Sequence, residues 1–193
     1  MKKFFKNFIM ALAIVMFIGV AFSSDFRKGL GDLLAPFLDP LLNVLPFHIV
    51  VMILAFFTGL YSTLIQKYTI DYKRLKEIQQ RVMNFQKEYM DAVKKNLKPK
   101  LKKLEEEQME IQKLQGEMFS MQMTSMLFVI VVTLPIFMWM YHAASPDFEV
   151  VAPFAGKIHI SQYYLIFPWW IWWYMFNSVI FGQIVRKALK VGL

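Results

Sequence analysis

Residues 67–117 read KYTIDYKRLKEIQQRVMNFQKEYMDAVKKNLKPKLKKLEEEQMEIQKLQGE. Apolar positions recur at Leu75, Ile78, Val82, Phe85 and Tyr89, and beyond Pro99 at Leu101, Leu104, Ile111 and Met118, with Gln108 filling one slot. Steps of three and four are the stripe of an amphipathic helix. Pro99 lacks an N–H and disfavours the α region at Lys98, so the stretch reads as two helices meeting near Lys98 to Lys100. Each stripe then buries against the other. The first arm is continuous with the apolar segment before it and the second runs directly into the one after it, which predicts an antiparallel coiled-coil hairpin standing out of a membrane as a stalk.

Composition agrees with that setting. The chain has 193 residues, is 57% hydrophobic and has a positive mean hydropathy. That is too apolar for a soluble domain and fits one small integral membrane domain with an exposed insertion. No cysteine is present, which excludes disulfides, thiolate metal sites and a Cys nucleophile. The net charge of +8 would suit nucleic acid, but membrane proteins gather Lys and Arg on the cytoplasmic side for topological reasons alone. No DNA partner is expected.

Working outward, residues 1–24 hold three lysines and then the apolar run Phe8 to Phe22, a signal peptide or a membrane anchor. Residues 25–46 carry the stripe Leu30, Leu33, Leu34, Phe37, Leu38, Leu41, Leu42, Leu45 with Asp32, Asp39 and Asn43 opposite, broken by Pro36 and Pro40. They read as an amphipathic element in the outer membrane interface. Core spans are expected at 47–66, 118–141 and within 163–193, the last as Tyr163 to Val185. At 1.5 Å per residue about twenty residues cross the ~30 Å hydrocarbon layer. Segment 67–117 is the hairpin. Segment 142–162, with Pro146, Pro153 and Gly156, is an outer loop with some extended structure around Val150 to Ile160.

Of the 22 basic residues, nineteen fall in the N-terminus, the hairpin and the C-terminus. The positive-inside rule therefore places hairpin and C-terminus in the cytoplasm. Trp169, Trp170, Trp172 and Trp173 then sit in the outer half of the last span, where an aromatic belt belongs.

With this orientation the polar residues of the spans crowd into the cytoplasmic half. They are Thr58, Ser62, Thr63 and Gln66 on the first span, Gln122, Thr124 and Ser125 on the second, and Asn177, Ser178 and Gln183 on the third. Positions 58, 62 and 66 share a face. Three spans suggest a wedge-shaped groove, wet toward the cytoplasm and closed outside by aromatics. Ser and Thr also satisfy backbone or join helices in membranes, so each residue taken singly has a structural reading too. Met109, Met118, Met121, Met123 and Met126 gather where the stalk enters the membrane. Flexible, polarisable side chains suit a surface that accepts varied apolar segments, or they fill packing gaps. The stalk charges suit anionic headgroups or ribosomal RNA, or form a solvated face.

Catalytic signals are weak. His48, His142 and His159 with Asp147 or Glu149 have no metal-ligand spacing, and no nucleophile elbow, phosphate loop or nucleotide motif occurs. No enzyme activity, metal or cofactor is expected. Any transport runs on the client's own free energy or on a partner.

An outer amphipathic element, a span into the cytoplasm, a charged helical hairpin and two further spans together resemble the YidC/Oxa superfamily of membrane protein insertases. The order is most similar to the small three-span archaeal YidC-like branch, and to the insertase subunit of the endoplasmic reticulum membrane complex and the guided-entry receptor for tail-anchored proteins. The resemblance covers roughly residues 25–190 and implies an all-α fold and a chaperone-like insertase of the cell membrane. Implied partners are nascent membrane protein clients and the lipid bilayer, with the ribosome or a targeting factor on the stalk. Bacterial members carry a groove arginine on the first core span, whereas here uncharged Gln66 and interfacial Lys67 are nearest. A polar groove is implied, lined by Thr58, Ser62, Thr63, Gln66, Gln122, Thr124, Ser125, Asn177, Ser178 and Gln183, with Met118 and Met121 at its mouth. A small oligomeric ion channel and a coiled-coil membrane scaffold are the other readings.

Overall fold

The computed structural model describes residues 2–144, 149–152 and 156–191. Its elements in order are α1 (Lys2–Phe22), α2 (Ser24–Asp32), α3 (Ala35–Leu42), α4 (Phe47–Thr69), α5 (Tyr72–Lys94), α6 (Lys98–Ala143), β1 (Glu149–Ala152), β2 (Gly156–His159), β3 (Tyr163–Tyr164), β4 (Phe167–Pro168) and α7 (Trp169–Ala188). The chain is an all-α membrane protein with two short β-hairpins. Helices α4 and α6 are each long and apolar enough to cross a bilayer. Asn7–Phe22 and Ser24–Asp32 add a third candidate if that pair, bent by 119°, is one span. The chain divides into two compact units, Met1–Ile65 with Leu127–Leu193, and Gln66–Met126.

The second unit is the charged stretch. Ile78 and Val82 of α5 pack on Ile111 of α6, with Phe85, Leu114, Met118 and Met121 around them. The pairs Arg74–Glu117, Arg81–Glu107 and Lys100–Glu88 run in opposite senses along the two helices, so the helices are antiparallel. The turn follows from local chemistry. Asn96 takes the left-handed conformation (φ 50°), the Asn96 N–H reaches Val93 O and the Leu97 N–H reaches Ala92 O. These two bonds are a Schellman cap, which closes α5 and satisfies its last carbonyls. Pro99 then sits in the first turn of α6, where its missing N–H costs nothing.

Three expectations are corrected in this unit. Tyr89 is exposed, and the buried position at that end of α5 is Ala92. Gln108 is exposed, and the slot at that level belongs to half-buried Glu107, which meets Arg81 at 3.5 Å. The first arm is also not continuous with the span before it. Helix α4 ends at Thr69, and the Asp71 carboxylate accepts from the Arg74 N–H at 3.1 Å, capping a new helix. The second arm does run unbroken, since α6 is one helix of 46 residues.

Arg74 binds Glu117 through two hydrogen bonds, Nε to Oε1 at 2.8 Å and Nη2 to Oε2 at 2.9 Å. These bonds first, and charge attraction second, hold the Glu117 carboxyl below its ordinary value and raise Arg74. A carboxylate with depressed folded pKa adds stability above its unfolded pKa and loses it as pH falls through the folded value. Both groups are exposed, so solvent keeps the effect small. In a carboxyl NMR titration Glu117 is expected to titrate below the ordinary glutamate value, and Arg74→Met to raise it toward that value.

In the first unit the core gathers at one end. It contains Phe47, Val50, Val51, Leu54 and Ala55 of α4, Trp139 and Met140 of α6, Ile160, and Trp170 and Tyr174 of α7. Leu34, Leu38, Leu41, Leu42 and Leu45 lay the leucine stripe over this core, while Leu33 and Phe37 face outward. Pro36 lies in the first turn of α3, so it starts that helix rather than breaking one. Asp39, on the polar side of the stripe, accepts from the Trp139 indole N–H at 2.8 Å.

Residues 142–162 carry the extended structure expected near Val150, with Glu149 paired to His159 and Ala152 to Gly156. Pro146, Asp147 and Pro153 lie outside the described residues. The stretch expected as the last span differs in its start. Tyr163 to Pro168 form a second hairpin, and α7 begins only at Trp169. Its first amides bond back to the chain, Trp169 N–H to Gln162 O and Trp170 N–H to Ile160 O. A helix capped by this fold-back needs no polar side chain at its N-cap, which is Pro168.

Candidate functional site

Six of the twelve residues singled out by sequence belong to the first unit. Thr58, Thr63 and Asn177 are buried, Ser62 and Ser178 are half-buried and Gln183 is exposed. Their hydrogen bonds share one pattern. Thr58 donates to Leu54 O, Ser62 and Thr63 to Gly59 O, Asn177 to Trp173 O and Ser178 to Met175 O. Each therefore returns its proton to its own helix three or four residues back. That settles the hydroxyl donors locally and leaves the hydroxyl lone pairs, with the second N–H and the carbonyl of Asn177, as the remaining polar capacity.

The residues do not scatter along the helices. On α4 the packed core ends at Ala55 and the polar stretch begins at Thr58. On α7 it ends at Tyr174, and Asn177, Ser178 and Gln183 follow. One end of this unit is thus apolar and closely packed, and polarity starts where that packing stops.

Two tyrosines mark the boundary, and counting them as apolar hid them in the sequence. Thr133 gives its only proton to Val129 O, so the Tyr61 hydroxyl is the donor in the 2.7 Å bond between them, tying α4 to α6. The Tyr174 hydroxyl is buried beside Thr58 and Tyr61 and has no partner in hydrogen-bonding geometry among the described residues. Helices α4 and α7 meet backbone to backbone at Gly59, where a Cβ would stand 3.1 Å from Gly182 N. Single glycines inside two apolar runs were the readable sign of this contact. The tryptophans expected as a belt also brace the fold. Trp173 donates to His48 O and Trp172 to Tyr164 O, each at 2.9 Å, and Trp170 is in the core.

The other six residues belong to the second unit. Gln66 is half-buried, and Met118 and Met121 pack beside Ile78, Val82 and Ile111. Gln122 is exposed and Thr124 is buried with its hydroxyl on Ser120 O. Ser125 is buried and its hydroxyl has no partner among the described residues. Of the neighbouring methionines, Met109 and Met126 are exposed. Among the histidines, His159 Nε2 stands 3.9 Å from a Glu149 carboxylate oxygen, and no group of three potential metal ligands forms among the described residues.

Apolar spanning helices, an amphipathic cover and a charged antiparallel helical pair define an integral membrane protein. The chain belongs to the family described as integral membrane protein EMC3/TMCO1-like, whose model matches residues 35–193, from the first residue of α3 onward. That family is part of the Oxa1/YidC/Alb3 insertase superfamily and is linked in general to membrane protein insertion and biogenesis. No curated protein and no solved structure matched the chain.

Proposed function

We propose that this protein is a nucleotide-independent membrane protein insertase with no enzymatic chemistry of its own. Family membership across residues 35–193 is the observation that carries the reading. Helix α4, the second half of α6 and α7 serve as its three core spans in the cell membrane. The α5–α6 pair is its cytoplasmic coiled-coil stalk, where a ribosome or targeting factor docks, and the C-terminus is also cytoplasmic. The bunching of 19 of 22 basic residues in the N-terminus, stalk and C-terminus supports this orientation.

The polar flank of a client enters beside Thr58, Ser62, Asn177, Ser178 and Gln183, and meets the packed aromatic end only after crossing part of the bilayer. The full hydrocarbon layer is ~30 Å thick, and a charge at its centre costs at least about 2.5 to 3.5 kcal/mol on insertion scales. Each Leu-like residue returns roughly 0.3 to 0.6 kcal/mol. A client helix of about twenty such residues drives its own insertion once the flank's barrier is lowered. The apolar segment itself is received by Met118 and Met121, with Gln66, Gln122, Thr124 and Ser125 supplying polar contacts nearby. Support for the shape comes from the order of side chains along α4 and α7, apolar core first and polar residues after it.

Site-specific photocrosslinking tests this reading, with probes at Ser62, Ser178 and Gln122, none of which is fully buried. Stalled nascent chains of a single-span client are expected to crosslink through their apolar segment and to lose the crosslinks after release into lipid. Folded protein that crosslinks at none of the three positions would move the assignment to a channel or a scaffold.

A further inference from the structure

From Ile160 to Val185 the chain contains no Asp, Glu, Lys, Arg or His, yet α7 occupies only the part from Trp169. The part before it is the β3–β4 hairpin, with Tyr163 opposite Pro168 and Tyr164 opposite Phe167. Its side chains are large, apolar and open to the outside: Tyr163 is 68% exposed, Tyr164 61%, Leu165 83% and Ile166 76%. Two-residue hairpin turns in water are built from Gly, Asn and Asp. Here the turn is Leu165-Ile166, and Leu165 has a φ of 62°, a left-handed conformation that suits glycine and strains leucine. The turn therefore departs from both the polarity and the backbone preference of a solvated hairpin. Strain kept at one exposed apolar residue points to a use for that side chain.

We propose that residues 163–167 form a membrane-interface anchor that seats in the lipid headgroup and upper acyl region on the side where α7 begins. The occupant of this apolar tip is the phospholipid bilayer. Continuity argues for lipid, because the same uncharged run continues into α7, whose Met175, Phe176, Val179, Ile180 and Ile184 are exposed apolar side chains. The hairpin is also tied to the first turn of that helix. Trp172 donates to Tyr164 O at 2.9 Å, the Phe167 and Trp172 rings lie 6.0 Å apart, and the Trp169 N–H binds Gln162 O. Seating the tip at one depth thereby fixes where α7 enters the membrane.

The depth has a limit. Backbone groups of a two-residue turn find no ladder partner, so they need headgroups or water and cannot pass into hydrocarbon. Tyr and Trp also prefer the interface over the bilayer centre. The neighbouring β1–β2 hairpin gives the contrast, since its exposed side chains include Glu149, Lys157 and His159. It belongs in water.

The absence of cysteine makes the test direct. The full chain carrying Leu165→Cys, or Lys157→Cys as the water-exposed reference, is labelled with a polarity-sensitive fluorophore and placed in phosphatidylcholine vesicles. Position 165 is expected to emit at shorter wavelength than 157. Lipids with a nitroxide near the headgroup should quench it more strongly than lipids with a nitroxide near the chain end, and position 157 should be quenched by neither. Water-like emission at 165, or shifted emission that no nitroxide lipid quenches because protein covers the tip, overturns the proposal. A second chain carries Leu165→Gly and Ile166→Asn with the fluorophore on Tyr163→Cys. Glycine relieves the left-handed strain, so the fold should survive, as helix content by circular dichroism will report. Quenching at 163 should then fall at least twofold relative to the same probe with Leu165 and Ile166 intact, and undiminished quenching in the folded chain also overturns the proposal. Neither readout depends on insertion activity.

Discussion

Gly59→Leu is expected to cause a large loss of stability in the first unit. A Cβ at this position would stand 3.1 Å from Gly182 N, 3.3 Å from Gly182 Cα and 3.4 Å from Phe181 C. All three are backbone atoms, so no side chain can rotate away to make room. Alanine asks α7 to give by a few tenths of an ångström. Leucine requires the helices to part, which opens the Phe56–Phe181 ring contact, now 5.5 Å between centroids, and the neighbourhood that buries Thr58 and Asn177. Overpacking typically costs about 1 to 3 kcal/mol, and a contact between two backbones belongs at the upper end. Gly182→Ala supplies the control. A Cβ there would meet nothing within 4 Å, and alanine gains up to about 1 kcal/mol of helix propensity over glycine. Equilibrium unfolding in mixed micelles should therefore rank Gly182→Ala at or above the parent, Gly59→Ala below it and Gly59→Leu far below. Equal damage from the two alanines would mean that the helices do not cross at this register.

What could be read beforehand, and what could not, follows from the kind of signal involved. The helical pair was legible because a stripe survives small errors of register, and Ile78, Val82, Leu104 and Ile111 of the expected set are buried. Spacing alone cannot choose between steps of three and four after Leu104. A step of four reaches Gln108, which is exposed, whereas a step of three reaches Glu107, the half-buried residue, its carboxylate meeting Arg81. The start of the last span failed for another reason. Tyr163 to Phe167 are as apolar as a helix turn and as fit for a strand as for a helix, so hydropathy does not divide them from α7. Pro168 was the usable sign, because proline opens helices and disfavours the α region in the residue before it.

At the candidate site the order of side chains along α4 and α7 was legible and the bonding was not. That Thr58 and Ser62 follow the packed part of α4, and Asn177 that of α7, needs only a count along the chain. Whether a hydroxyl reaches a client or its own helix depends on rotamer and neighbours, and here the protons go to Leu54, Gly59 and Trp173 carbonyls. Those carbonyls lie within helices that supply their ordinary partners. The polar side chains are therefore additions to an already satisfied backbone, and removing them leaves no orphaned donor behind.

That accounting allows fold and function to be separated by one variant. Thr58→Val, Ser62→Ala and Asn177→Leu together keep approximate volume at the buried positions while deleting the polar atoms, and each should change stability by no more than about 1 kcal/mol. The expected effect on insertion is larger. A polar contact between client flank and groove is worth about 0.5 to 1.5 kcal/mol, so losing three of them raises the barrier enough for roughly tenfold or greater slowing. The loss should depend on the client. One with a long polar flank to translocate should insert at least tenfold more slowly, whereas one with almost no translocated flank should be nearly unaffected. Protease protection of two such clients in proteoliposomes, with unfolding curves of the variant measured alongside, reads both quantities. A folded triple variant that inserts the polar-flanked client at the parent rate would remove Thr58, Ser62 and Asn177 from the path. A variant that slows both clients equally would assign these residues to the general architecture of the bundle and not to the passage of polar chain.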